Sequence, residues 1–82
     1  MTLRAVAVEP ITNTAQVEVG DMVSFVGGGA SWYTITRRDS RTLWGVFESI
    51  WTDPEHPNKE GIVLDLDGPS RPILDFQKVK LG

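Results

Sequence analysis

The sequence predicts a small all-β domain, and three observations carry that prediction. Turn chemistry brackets the stretch Val17-Glu-Val-Gly-Asp-Met-Val-Ser-Phe-Val-Gly-Gly-Gly29, where Gly20-Asp21 opens an alternating run and three glycines close it. A β-branched and aromatic run, Ala30-Ser-Trp-Tyr-Thr-Ile-Thr36, follows directly and completes a hairpin. No segment sustains a helical period, so a chain alternating strands with helices is excluded.

The elements follow from period-two counting. Leu3 to Glu9 alternates weakly and ends at Pro10, giving a first strand and a loop over Thr12-Asn-Thr14. Val17 to Val26 is a strand with Val17, Val19, Val23 and Phe25 on one face and Glu18 and Ser24 on the other. Trp32 to Arg38 is the next, with Tyr33 and Ile35 on one face and Trp32, Thr34 and Thr36 on the other. After the turn Asp39-Ser40-Arg41 comes Thr42 to Trp51, whose alternation slips around Gly45 and so predicts a bulge or sharp bend there.

Thr52 to Glu60 is a polar loop broken by two prolines and is a candidate functional segment by its length. Gly61 to Asp67 returns as a strand with Ile62, Leu64 and Leu66 inward. Asp67-Gly-Pro-Ser70 turns the chain into a strand over Pro72 to Phe76, and residues 77–81 read as a 3₁₀ turn and a closing strand. Five or six short strands need their edges removed, and a small closed barrel does that.

Eighty-two residues make one domain, 40% apolar, with a single core expected. Such a chain buries roughly 60–65% of its unfolded surface, so its stability margin is thin. The absence of cysteine points to the cytoplasm, since secreted domains of this size rely on disulfides. The N-terminal residues lack the apolar core of a signal peptide, and no apolar run approaches the roughly 20 residues that cross a bilayer, so no membrane partner is expected.

Charge is unevenly spread. Arg37, Arg38 and Arg41 against Asp39 leave residues 36–42 at +2, and six carboxylates against Lys59 leave residues 48–67 at −5. The rest of the chain balances, so the net charge of −3 sits between residues 36 and 67. An acidic surplus repels a phosphate backbone, and duplex DNA is not an expected partner.

The order of elements resembles the SH3-like small β-barrels, the group that includes KOW and Tudor modules. The residues that carry the resemblance are Val-Gly-Asp-Met-Val (19–23), the glycine loop at 27–29, and Ile-Leu-Asp-Phe-Gln-Lys-Val-Lys-Leu (73–81). The resemblance implies a barrel over residues 17–81, with residues 1–16 as an N-terminal strand and loop. The Ala-Leu-Tyr-Asp-Tyr motif of proline-binding SH3 domains is missing, and no family ligand carries over residue by residue. A small cysteine-free barrel is also similar in style to many bacteriophage accessory proteins.

Catalytic chemistry finds little support. The chain has one histidine, and Gly27-Gly-Gly29 lacks the Lys-Ser/Thr of a phosphate loop. Asp53, Glu55 and His56 put three metal-ligand types into one loop, and Glu48 and Asp65 are conceivable as a carboxylate pair across strands. Neither pattern is preorganised by spacing, so no enzyme activity, metal or cofactor is expected.

Binding is better founded. Three tryptophans are many for this length, and tryptophan is a common energetic anchor. If Val46 and Ile50 face the core, so does Trp44, which leaves Trp32 and Trp51 as the exposed pair. Arg37, Arg38 and Arg41, with Trp32 and Tyr33 on the strand leading to them, have the basic and aromatic composition of a single-strand surface. The expectation is a non-enzymatic protein-interaction module, an accessory or host-interaction factor if the phage likeness holds. The alternatives are a nucleic-acid-binding barrel using the Arg37–Arg41 turn and a structural homo-oligomer paired through an edge strand.

Overall fold

The computed structural model describes residues 4–27, 29–68 and 73–81. Among them, six strands form one antiparallel sheet: β1 (Ala5–Pro10), β2 (Met22–Phe25), β3 (Ser31–Arg38), β4 (Thr42–Ser49), β5 (Glu60–Asp65) and β6 (Phe76–Leu81). Their order is β1-β6-β2-β3-β4-β5, so β1 and β5 end the sheet and no strand pairing among the described residues closes it. Short 3₁₀ turns lie at Thr14–Gln16 and Ile73–Asp75. The protein is all-β, and among the described residues no helix is long and apolar enough to cross a membrane.

The main core gathers Ile11, Val17, Val23, Ile35, Leu43, Val63, Leu64 and Phe76. Five strands, β2 to β6, contribute to it. A smaller second cluster of Ala5, Trp32 and Val79, flanked by Met22, corrects the expectation of a single core. It forms because Val79 and Met22 lie opposite one another in the β2–β6 register, one residue out of step with Val23, which faces the main core.

Several strand faces differ from the simple alternation, each for a local reason. The strand expected over Val17–Val26 starts only at Met22, because Asp21 N–H donates to Glu18 O and makes a turn with Gly20 at φ +98°. A side chain rarely adopts that φ, so glycine belongs there. Val19 sits on this turn and is exposed, whereas Val17 and Val23 are fully buried as expected. Ser24, expected on the outer face, is buried, and its hydroxyl donates to the Phe25 carbonyl oxygen at 3.3 Å.

The irregularity assigned to Gly45 lies in the strands beside it. Gly45 pairs regularly with Ile35 and Gly61, while Thr36 in β3 and Val63 in β5 are the extra residues. Glycine is still required at 45, since a Cβ there would come within 2.6 Å of the Thr34 carbonyl oxygen. The β5 bulge turns both Val63 and Leu64 inward and sends Ile62, expected in the core, out to 60% exposure. Leu66 is exposed too, beyond the end of β5.

At the C-terminus the 3₁₀ turn comes earlier than expected, at Ile73–Asp75. Phe76 therefore opens β6, and residues 77–81 are strand throughout. Leu3, Gly28, the Pro69-Ser70 half of the turn and Pro72 lie outside the described residues.

Candidate functional site

Strand β4 carries a turn at each end, and the two turns hold most of the expected site residues. Thr42 and Ser49, the two ends of β4, are seven residue steps apart, which at about 3.4 Å per residue is a span of roughly 24 Å.

The turn that enters β4 is Asp39-Ser-Arg-Thr42. The Asp39 carboxylate accepts the backbone N–H groups of Arg41 at 2.8 Å and Thr42 at 2.7 Å. The buried Thr14 hydroxyl donates to Ser40 O at 2.8 Å and ties the turn to the first 3₁₀ segment. Arg41 Nε meets Asp67 Oδ1 at 2.7 Å, and Arg37 Nη2 meets Glu60 Oε1 at 3.2 Å. Arg37 also lies over the Trp44 ring, 4.1 Å from its centroid, with Ile62 opposite Trp44 on β5. Arg38 is exposed. Two of the three arginines expected to bind a partner are thus occupied by carboxylates of the protein itself.

The turn that leaves β4 is Ser49-Ile-Trp-Thr52. Thr52 N–H donates to Ser49 O at 3.1 Å, which makes Ile50 and Trp51 the two central residues of a β-turn. Ser49 N–H donates to the Thr52 hydroxyl at 2.8 Å, Trp51 N–H to the Ser49 hydroxyl at 3.2 Å, and Ile50 N–H to Ala30 O at 3.1 Å. Side-chain hydroxyls and the neighbouring loop therefore satisfy the backbone, and the two apolar side chains are turned outward. Trp51 is 77% exposed and Ile50 41%.

Phe47, two residues before the turn begins, is also 41% exposed and joins this end to the core. Its ring meets Tyr33 edge-on at 5.3 Å; Tyr33 meets Phe25 at 6.0 Å, and Phe25 meets the buried Phe76 at 4.9 Å. This aromatic row crosses β4, β3, β2 and β6 and anchors the outer ring to the inner one. Asn58 donates to Phe47 O at 2.8 Å, which folds the polar loop back along β4.

Tryptophan exposure divides differently from the expectation. Trp51 is exposed, but Trp32 is 5% exposed, and its indole N–H donates to Glu48 Oε2 at 3.2 Å. The Thr34 hydroxyl donates to the same oxygen at 2.5 Å. Trp32 is buried because its face of β3 is covered by the second cluster with Ala5 and Val79. Tyr33, on the opposite face, is half-buried in the aromatic row. Trp32 and Tyr33 therefore do not form one platform with the arginines.

The catalytic and metal patterns do not assemble. Glu48 lies opposite Trp32, while Asp65 lies opposite Thr42 at the other end of β4, roughly 20 Å along the strand. Asp53 accepts Glu55 N–H at 2.9 Å and lies 2.9 Å from His56 Nδ1. The Glu55 backbone N–H, and then His56, hold the Asp53 carboxyl below its ordinary value. Among the described residues no three His, Cys, Asp or Glu side chains converge as a metal site.

A hollow of about 190 Å³ between β1, β2 and β6 is lined in part by Glu9, Asp21 and Lys78. Lys78 Nζ bridges the two carboxylates at 3.2 and 3.3 Å, so the polar groups of the hollow satisfy one another. Sequence reasoning missed Phe47 and Ile50 as surface groups, and Glu60 and Asp67 as the arginines' partners. An Ile-Trp pair immediately before the breaker Thr-Asp-Pro was the available signal for the first. Comparisons with protein-family models, with curated proteins and with solved structures find no match for this chain.

Proposed function

We propose that the chain is a small SH3-like barrel acting as a non-enzymatic protein-interaction module, and that it docks through the Ile50-Trp51 turn. One observation carries the reading: a hydrogen-bonded β-turn presents isoleucine and tryptophan at its two central positions. Turn tips favour Gly, Pro, Asn, Asp and Ser for conformational reasons, and neither Ile nor Trp supplies any of them. A tryptophan held outward by a hydrogen-bonded turn has the features of an interface anchor, since ordering it costs little further entropy on binding. The barrel part of the reading is supported by the run β2-β3-β4-β5 with β6 returning beside β2, all five contributing to one main core.

The alternatives have less behind them. The edge-paired homo-oligomer has the open edges it needs in β1 and β5, but each carries a bulge, at Val8 and Val63, which twists an edge away from pairing. The nucleic-acid reading keeps the exposed Arg38, but Arg37 and Arg41 are ion-paired.

The test is capture of partners from a lysate of the producing cell with the native protein and with Trp51→Ala. Loss of a captured protein by about 2 kcal/mol or more, with an unchanged circular dichroism spectrum, is expected. Undiminished capture by the variant refutes the docking role of Trp51. Low-micromolar, salt-sensitive binding of DNA, abolished by Arg37→Ala with Arg38→Ala, establishes the nucleic-acid alternative instead.

A further inference from the structure

We propose that Asp67-Gly68 is a site of spontaneous aspartate isomerisation and that the Arg41 side chain governs its rate. The reaction is intramolecular. The backbone nitrogen of the following residue attacks the side-chain carboxyl carbon of the aspartate, a C–N bond forms, and one water leaves to give a five-membered succinimide. Solvent water then opens the ring at either carbonyl. One opening restores aspartate; the other gives isoaspartate, in which the main chain runs through the former side chain. Nothing is oxidised or reduced, and the product keeps the mass of the starting protein.

The neighbours along the chain select the bond. Of the six aspartates, only Asp67 precedes glycine. Glycine has no Cβ to hinder the attacking nitrogen, and it leaves the backbone free to rotate into the ring geometry. Asp53 precedes Pro54, which has no N–H to lose, and Asp21, Asp65 and Asp75 precede the bulky Met22, Leu66 and Phe76. Asp39-Ser40 is the nearest rival. There the carboxylate is locked by two backbone N–H groups, those of Arg41 at 2.8 Å and Thr42 at 2.7 Å.

Asp67 is held more loosely. It is a central residue of a β-turn in which Gly68 N–H donates to Asp65 O at 3.2 Å and Asp67 N–H to Asp65 Oδ1 at 2.9 Å. Those bonds position the backbone. The Asp67 carboxylate itself is held by Arg41 Nε, 2.7 Å from Oδ1, with both side chains more than half exposed. Turning the carboxyl carbon toward the Gly68 nitrogen draws Oδ1 away from Arg41, so the ion pair opposes the attack. An exposed pair opens readily, and it therefore slows the reaction without stopping it. Isoaspartate adds a carbon to the main chain just after β5 and re-aims the carboxylate. Arg41 then loses its partner, and the turn that enters β4 gains a free cation.

The test is peptide mapping by liquid chromatography and mass spectrometry after weeks at neutral pH, with electron-transfer fragmentation to tell isoaspartate from aspartate. Isoaspartate is expected to build up at position 67 ahead of every other aspartate. Arg41→Ala, folded by circular dichroism, should raise the rate about two- to fivefold, the range an exposed ion pair sets. High salt should speed the reaction in the native protein and leave Arg41→Ala unchanged, because the pair is what salt screens. In concentrated urea, where the pair is absent, the two proteins should react at one rate. Isoaspartate that builds up first at another position, or at none, overturns the site. Equal rates for the folded native protein and Arg41→Ala, or a difference that persists in urea, overturn the role of Arg41. Should Arg41→Ala fail to fold, the salt dependence of the native protein decides: a rate that salt does not change overturns the role of the pair.

Discussion

The two turns at the ends of β4 are built by the same means and end in opposite states. In each, side-chain oxygens satisfy the backbone: the Asp39 carboxylate at one end, the Ser49 and Thr52 hydroxyls at the other. At the first, Arg41 finds Asp67 across the sheet, and Arg37 on the adjoining strand finds Glu60 and the Trp44 ring. At the second, Ile50 and Trp51 face solvent. The sequence marks both elements, Trp51 as an interface anchor and the arginine turn as the nucleic-acid alternative. The tertiary structure separates them by supplying carboxylates to Arg37 and Arg41 from β5 and from the turn after it. Both ion pairs are largely exposed and cost little to open, so what sets the second turn apart is the apolar area of Ile50 and Trp51 that a partner can cover.

The largest expected effect falls on the scaffold that both turns share. Leu43 on β4 lies opposite Leu64 on β5, and both are fully buried in the main core. Leu64→Ala should cost about 2–5 kcal/mol in urea unfolding, a large share of the stability of so small a domain. A cost below about 1 kcal/mol would mean that the bulge at Val63 does not turn Leu64 inward.

The next effect separates the two turns directly. Asp39→Ala removes the acceptor for two backbone N–H groups and should lower stability by about 1 kcal/mol. Trp51→Ala should leave the unfolding midpoint within about 0.5 kcal/mol of the native protein, because its side chain is mostly in water. A reversed order would make Trp51 a structural residue and Asp39 a dispensable one.

A smaller effect is expected at the ion pair itself. Arg41 and Asp67 are both more than half exposed, so Arg41→Ala should change stability by less than about 1 kcal/mol, and less still in high salt. A larger loss would show that the pair, and not the Asp39 hydrogen bonds, holds the entering turn together.

The smallest effect concerns pH. The folded pKa of Asp53 is depressed, so the ordering it gives the loop is fully present above the unfolded carboxyl value. That ordering is lost as pH falls through the folded one. The Glu55 amide, which donates to this carboxylate, should report the change in a ¹⁵N chemical-shift titration. Its midpoint is expected below that of an aspartate in an unstructured peptide. A midpoint at or above the peptide value would detach Asp53 from the loop geometry.

The local chemistry of this chain was legible from its residues because it depends on near neighbours. The all-β class, the turn at Gly20, the glycine loop, the burial of Val23, Ile35 and Leu64, and a 3₁₀ turn near the C-terminus all follow from period and turn propensity. Trp51 was marked as exposed together with Trp32 on the premise that Ile50 faces the core; Trp51 is exposed, but so is Ile50, and Trp32 is not. What alternation could not supply was the position of each extra residue. A bulge is defined by the partner strand, so the inward Val63 and outward Ile62 appear only once β5 lies against β4. Trp32 vanished from the surface for a similar reason, since Val79, 47 positions away, helps cover it. The arginines' availability was likewise decided at long range, by Glu60 and Asp67 arriving on and just beyond a strand that no local pattern pairs with them. Period and turn chemistry are properties of neighbouring residues and can be read along the chain. Burial and charge compensation are properties of surfaces brought together by folding, and only the tertiary structure decides them.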